Sequence, residues 1–534
     1  MSLAPTNGFR WLDLPKAVAG LWQGRIESSV DESKSTVSFE CPPKHLQELC
    51  TYLFSTEGYS FATLVAEDET FEWVLRYIFY GGPGAGQVHV ICRSPLSEPC
   101  IPSISPQIHA ADWQEREAED LFGLVFEGHP RLGDFVLHEE WPDGVNPMRK
   151  SFDATRPYAH RERDPKWQPE SILEARGAFM MPIGPVFSDH AESAHFLLET
   201  VGEDVLRSIP RFFYKYRGVE KIAEGKKVDD ALLLAERFSG TSAFAHSMAF
   251  CQAVESLCGT EAPARAKALR VLLAELERFR HHVAAIAGIC SSTALAVAAS
   301  SAGILEEETL RLTGRFLGHR YLFGLNTPGG LMTDFTDEQC REVNQGLWRL
   351  LENLRTLQDM LRFTSSFLDR LEEVGMVSQE KARSYGLVGP VARASGISRD
   401  LRISQPYGHY DGRFKFHVPR EEEGDGYARL RILFSEAEQS VNLVNQVVSS
   451  LPPGPVRVPL SFSAGSALGW IEAPRGAAFH WIRLGPDGRV LRYRVMTPSF
   501  VNWHGFHLAA EDFAFQDFPI IMATFGLSNA ECDR

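Results

Sequence analysis

Glu192-Ser193-Ala194-His195 sets a carboxylate and an imidazole three residues apart, and Arg475 stands far downstream in Glu472-Ala473-Pro474-Arg475-Gly476. A carboxylate relays protons, an imidazole titrates near neutrality and a guanidinium holds an oxyanion, so these residue types suit proton-coupled chemistry. Each also has a structural reading: a buried Glu or Arg as half of an ion pair, a lone His as a satisfied core residue. Nine cysteines are scattered from Cys41 to Cys532 with no CxxC, which points to reduced thiols in a cytoplasmic protein. The helical spacing of Cys251 and Cys258 reads as buried packing. Gly81–Gly86 is followed by neither Lys-Ser/Thr nor a helix, so it reads as a hairpin loop rather than a phosphate cradle.

Two domains must position these residues. Residues 1–153 alternate like a small α/β domain, with β-rich runs at Thr36–Glu40, Phe71–Tyr80 and Gln87–Ile91. Residues 154–180 are polar, rich in Arg and Pro and without periodicity, and read as a linker. Residues 181–534 are dominated by long amphipathic helices. One covers Ala264–Ile289; another opens at a capping box, Thr336-Asp337-Glu338-Gln339, and buries a stripe from Val343 to Leu361; a third covers Tyr427–Leu451. A hairpin turning at Pro486-Asp487-Gly488 follows. The fold class is α+β, a small α/β domain and then a large, mainly helical one with peripheral β-hairpins.

With 534 residues, 44% apolar and 23% charged, the chain has the composition of a soluble globular protein of two or three domains. A net charge of -15 argues against nucleic acid as a partner. The most apolar run, Val283–Leu305, is interrupted by Ser and Thr, and its small residues suit close helix packing better than a membrane span. Met1–Gly8 lacks the basic-then-apolar order of a signal peptide.

Longer motifs carry a family resemblance. Trp113-Gln114-Glu115-Arg116-Glu117-Ala118-Glu119-Asp120-Leu121-Phe122-Gly123, continuing to Gly128-His129-Pro130 and Pro147-Met148-Arg149-Lys150, resembles the C subunit of the NADH-quinone oxidoreductases, or complex I. There the domain is a structural partner without a redox group. Its charged helix reads either as a docking surface or as a plain solvated, ion-paired face. The second domain resembles the D subunit of complex I and the large subunits of membrane-bound nickel–iron hydrogenases, the formate hydrogenlyase and hydrogenase-4 group. The resemblance rests on Arg217-Gly218-Val219-Glu220-Lys221, Arg237-Phe238-Ser239-Gly240-Thr241-Ser242, Phe244-Ala245-His246, Glu275-Leu276-Glu277-Arg278, Val388–Gly396, Glu472–Gly476 and Gly526–Arg534.

The resemblance implies a set of roles. Ser239, Ser242, Ser528 and Glu531 occupy the four positions where the hydrogenases carry nickel-binding cysteines, so no metal and no other cofactor is expected on this chain; soft thiolates suit nickel and iron, and hydroxyls do not. Cys532 lies one position beyond. Glu192 matches the proton-relaying carboxylate of the hydrogenases, His195 the histidine that hydrogen-bonds a quinone headgroup in complex I, and Arg475 the arginine over the bimetallic centre. Glu531 is the complex I residue, whereas Gly240 replaces its quinone-binding tyrosine. The expected function is that of a large subunit in a respiratory complex, passing electrons from an iron–sulfur cluster on a small partner subunit to a quinone, coupled to proton movement. Antiporter-like membrane-arm subunits would hold it peripherally at the inner face of the cell membrane. A redox-inactive scaffold or coupling subunit and a working nickel–iron hydrogenase are the alternatives. Glu192 beside Glu531 would place two acids that cannot both ionise cheaply.

Overall fold

In a computed structural model the protein is described at residues 11–69, 71–81, 86–162, 177–186 and 192–534. It is α+β and divides into two compact units, Met1–Glu170 with Ser384–Gly386, and Ser171–Arg383 with Leu387–Arg534.

The first unit begins with helix α1 (Leu14–Leu21) and is built on strands β1 (Glu27–Asp31), β2 (Thr36–Glu40), β3 (Ser60–Asp68), β4 (Glu72–Tyr80) and β5 (Gln87–Pro95). Their order is β1-β2-β5-β4-β3, antiparallel except for the β2–β5 pair. The near-continuous apolar run of β4 is buried on both faces, as its interior position requires. Helix α2 (Pro43–Thr51) links β2 to β3. The hairpin expected at Gly81–Gly86 joins β4 to β5, its residues 82–85 lying outside the described ones.

Helix α3 (Asp112–Phe122) corrects the sequence reading. Glu115, Arg116 and Glu117 are buried, so this segment is neither a solvated face nor a docking surface. Glu115 accepts from the Ser103 and Ser105 hydroxyls, both at 2.5 Å, and from the Ile104 N–H at 2.9 Å. Asp120 accepts from three successive backbone N–H groups, Phe135, Val136 and Leu137, at 2.7–2.9 Å. The acids of α3 therefore fasten two loops. Burial pushes the Glu115 carboxyl up to about 7, its three donors only partly offsetting the loss of water.

In the second unit, strands β6 (Ala178–Ile183), β7 (His195–Val201) and β8 (Asp204–Arg211) form an antiparallel sheet. Of the stretch 154–180, residues 163–176 lie outside the described ones, and its end is already strand from Ala178. Helix α4 (Ala243–Leu257) precedes four long helices, α5 (Ala264–Ser292), α6 (Ala296–Leu317), α7 (Asp337–Arg362) and α8 (Gly426–Ser449). Helix α5 packs on α6 and α8, and α7 on both of those, which closes a four-helix bundle.

The capping box forms: Gln339 N–H donates to Thr336 Oγ1, and the Gln339 side chain accepts from Thr336 N–H. Val343, Leu347, Leu350, Leu354, Leu357 and Leu361 are all buried along α7, each such side chain contributing roughly 1.5–3 kcal/mol. The Val283–Leu305 run is divided between α5 and α6 by a corner at Ala294, whose φ is +58°. No helix among the described residues is long and apolar enough to cross a membrane. Strands β9 (Gly465–Ala473), β10 (Gly476–Leu484) and β11 (Val490–Met496) form an antiparallel meander packed on α4. The approach is close at Gly469, where a Cβ would lie 1.9 Å from the Ala249 carbonyl oxygen. Helices α9 (Pro498–His504) and α10 (Phe518–Phe525) lead to the C-terminal segment.

Candidate functional site

Two segments far apart in the chain, one around Ser239 and one at the C-terminal end, meet in the second unit, and the motif residues around them are their fasteners. The guanidinium of Arg217 donates to the carbonyls of Phe238 at 2.8 Å, Asp533 at 2.8 Å and Ala530, so one side chain ties the Ser239 loop to the C-terminal segment. From α5, Glu277 accepts the N–H groups of Phe244 and Ala245, at 2.8 and 3.0 Å, and Arg280 donates to the Thr241 carbonyl at 2.7 Å. These contacts hold the first turn of α4, just after Ser242. Arg278 on the same helix donates to the carbonyls of Ala473, at 3.1 Å, and Glu472, which fixes the strand end before Arg475. The backbone there meets Gly389 so closely that a Cβ on Gly389, at φ +67°, would lie 2.0 Å from the Arg475 carbonyl oxygen. The spacing of the two motifs is thus set by a contact that only glycine permits.

The four positions that the resemblance assigns to ligands are buried and occupied by hydrogen bonds. Ser239 Oγ donates to Glu531 Oε1 at 3.1 Å. Arg475 Nη1 reaches Thr241 Oγ1 at 3.0 Å, Ser242 Oγ at 3.3 Å and Glu531 Oε1 at 3.2 Å, while its Nε donates to the Gly526 carbonyl at 2.8 Å. The second oxygen of Glu531 accepts from Ser499 N–H at 3.2 Å, where α9 begins. Burial alone would raise this carboxyl; the Arg475 charge and the bonds around it outweigh that and hold it well below the usual carboxylate range.

Glu192 stands on a different set of partners. Ser528 Oγ lies 3.0 and 3.1 Å from its two oxygens, and Ala530 N–H donates to it at 2.9 Å. The residue is exposed, unlike Ser528. The expectation of two acids sharing one site is corrected at Glu531, whose neighbour is a guanidinium. His195 opens β7, opposite Arg211, with its ring edge-on to Tyr214 at 6.5 Å. Glu192 and Arg475 therefore both bind residues 526–531, and His195 sits three residues along from that contact.

Nickel does not fit this donor set. A cation, Arg475, already stands within 3.3 Å of Ser242 and Glu531, and three of the four positions offer neutral hydroxyls. The adjacent thiol, Cys532, is buried, and burial pushes it well up, away from the thiolate a metal needs. No group of three or more His, Cys, Asp or Glu able to hold a metal occurs among the described residues.

Other residues that build the site were not singled out from the sequence: Arg280, Thr241, Ser499 and His246, whose Nε2 lies 3.7 Å from Glu531 Oε1. The only signal among them is that Thr241 and His246 fall inside the Ser239 motif.

Three known families match parts of the chain. Residues 301–462 and 458–534 match the family described as "Respiratory-chain NADH dehydrogenase, 49 Kd subunit", residues 39–158 the corresponding 30 Kd subunit, and residues 217–286 "Nickel-dependent hydrogenase". In one continuous sequence the chain is thus similar to the 30 Kd and 49 Kd subunits of the respiratory-chain NADH dehydrogenase and, over residues 217–286, to the nickel-dependent hydrogenases. Among similar proteins, formate hydrogenlyase subunit 5 of Escherichia coli (strain K12) is 28% identical over 515 residues, covering 94% of this chain and 90% of that protein. Hydrogenase-4 component G of the same organism is 28% identical over 441 residues, 81% of this chain and 76% of its own length. The NADH-quinone oxidoreductase C/D subunit of Bdellovibrio bacteriovorus is 32% identical over 357 residues, 65% and 63% of the two chains. The match to the hydrogenases spans the Arg217, Ser239 and Glu275 motifs, and the match to the 49 Kd subunit spans Arg475 and the C-terminal segment, while Glu192 and His195 lie outside the matched ranges.

Proposed function

We propose that this chain is the large subunit of a membrane-associated respiratory oxidoreductase complex that passes electrons to a quinone-type acceptor, with protons, and holds no nickel. The electrons come from an iron–sulfur cluster on a small partner subunit facing the space between Glu192, Ser239 and Glu531. Antiporter-like membrane-arm subunits attach the chain peripherally at the inner face of the cell membrane and couple the reaction to proton movement. The observation that carries this reading is the replacement of a soft-donor site by oxygen and nitrogen groups, with the exposed Glu192 carboxylate on Ser528 and the Arg475–Glu531 pair behind it. Reduction of a quinone to a quinol takes two electrons and two protons. Glu192, exposed to solvent, relays the two protons one after the other, His195 hydrogen-bonds the acceptor oxygen, and Arg475 steadies the charge that develops there.

A second reading, a redox-inactive scaffold, is favoured by the four hydrogen bonds that already engage Arg475. The two separate in the assembled complex. Glu192→Gln keeps the shape without the titratable proton and is expected to lower kcat for quinone reduction about a hundredfold with KM little changed. His195→Ala is expected to raise KM about fivefold, the equivalent of roughly 1 kcal/mol of hydrogen bond. Wild-type kinetics in both variants would leave the scaffold.

A further inference from the structure

Just beyond the end of β8 the backbone takes a conformation that bulky residues avoid. Phe213 has φ +68°, and it is the only aromatic residue among the described ones in the left-handed region. A side chain of that size stays there only where its surroundings over-determine the turn. Two sets of contacts do so. The Phe213 ring is buried against Tyr216 and against Phe500 on α9, with centroids 6.2 and 6.4 Å apart. The backbone that follows is stitched to one residue of the C-terminal segment: Lys215 N–H donates to Asp533 Oδ2 at 3.2 Å, and Arg217 N–H to the Asp533 carbonyl at 3.1 Å.

The turn brings Tyr214 back against His195. His195 is paired with Arg211, the last residue of β8. Had the strand continued straight, residue 214 would lie ~10 Å along from that pairing, at about 3.3 Å per residue. Instead the Tyr214 ring meets the imidazole edge-on, with centroids 6.5 Å apart and planes at 74°, and both residues are half-buried.

We propose that Tyr214 is a positioning residue for His195, presented by the strained turn at Phe213 that Asp533 latches. The edge-on ring restricts rotation of the imidazole about its outer torsion, so one ring nitrogen keeps a fixed direction toward an acceptor oxygen. An imidazole without that neighbour has to be ordered on binding, which weakens affinity and leaves the chemical step alone. The latch also sets His195 in register with the other two groups. Ser528 meets Glu192, Glu531 meets Arg475 and Asp533 shapes the turn behind His195, so six consecutive residues, 528–533, place all three side chains. The role toward the acceptor rests on the function proposed above; the turn and the ring contact do not.

The contact is tested in the full-length chain, labelled at histidine and tyrosine side chains, by the nuclear Overhauser contact between the His195 and Tyr214 rings, assigned with His195→Gln and Tyr214→Phe. It is expected in the wild type and in Asp533→Asn, whose amide oxygen still accepts from Lys215 N–H, and is expected to vanish in Asp533→Ala. The strain is tested by a pair of variants that both remove the ring: Phe213→Gly should unfold at a higher denaturant concentration than Phe213→Ala, because only glycine takes a positive φ without penalty. In the assembled complex, Tyr214→Leu should raise KM for a soluble quinone roughly two- to tenfold with kcat unchanged, and Tyr214→Phe should restore the wild-type KM. No ring contact in the wild type, a contact that survives in folded Asp533→Ala, an alanine variant at least as stable as the glycine one, or a wild-type KM in Tyr214→Leu would each overturn the proposal. A complex that reduces no quinone while the ring contact is intact would overturn the function and leave the turn standing.

Discussion

Replacing Arg475 with Met removes the cation beside a fully buried carboxylate while keeping much of the aliphatic volume. Glu531 then has two courses. It can stay ionised with only the Ser239 hydroxyl and Ser499 N–H as donors, or it can take up a proton. The second course caps the cost: protonating an ordinary glutamate at pH 7 costs about 1.4 kcal/mol for each of roughly 2.7 pH units, or about 4 kcal/mol. This agrees with the roughly 3–5 kcal/mol seen when one partner of a buried pair is deleted. The sign of the pH effect follows. In the wild type the folded-state pKa of Glu531 is depressed, so its contribution is present above the unfolded value and is lost as pH falls through the folded one. In Arg475→Met the folded pKa lies above the unfolded value, so the variant is least penalised in acid and loses stability as pH rises toward 7. Denaturant unfolding of the full-length chain at pH 5 and pH 7 measures both effects, and Arg475→Met with Glu531→Gln should recover most of the loss at pH 7. A single variant less than about 1 kcal/mol below wild type at pH 7, or a double variant no better than the single, would refute the reasoning.

Three further outcomes are expected. Burial pushes Glu277 up to about 7, above its value in the unfolded chain, so its ionisation opposes folding as pH rises from about 4.5 through 7; Glu277→Gln should flatten that part of the stability–pH curve by up to about 3 kcal/mol, read from unfolding midpoints. Gly389→Ala places a Cβ 2.0 Å from the Arg475 carbonyl and should displace Arg475 from Glu531, costing more than about 1 kcal/mol and lowering quinone reduction, both measured beside the wild type. Elemental analysis of the purified complex should find iron and no stoichiometric nickel; about one nickel per chain would contradict the donor-set argument.

The elements governed by local rules were legible in the sequence. The capping box at Thr336, the leucine stripe of α7 and the hairpin at Pro486–Gly488 each depend on neighbours a few residues away. The acids of α3 were misread because their partners are distant in the chain: nothing near Asp120 announces that it will receive three N–H groups from residues 135–137. The same limit hid the residues packed behind Glu531. His246 and His480 are 234 residues apart and meet only because α4 packs on the β9–β11 meander. Motif resemblance located Ser239, Arg475 and Glu531, but not that the guanidinium would stand among the hydroxyls, which is a property of the packed structure.

The central claim is that this chain, within its complex, delivers electrons and protons to a quinone without a metal of its own. Its most direct test is the acceptor activity of the intact complex, assayed with a soluble quinone and a reductant for the iron–sulfur partner, for the wild type and Glu192→Gln side by side. The account predicts quinone reduction by the wild type, a fall of about a hundredfold in the variant, and no hydrogen evolution from either. Hydrogen evolution that disappears when this subunit is removed, or quinone reduction indifferent to Glu192, would contradict it.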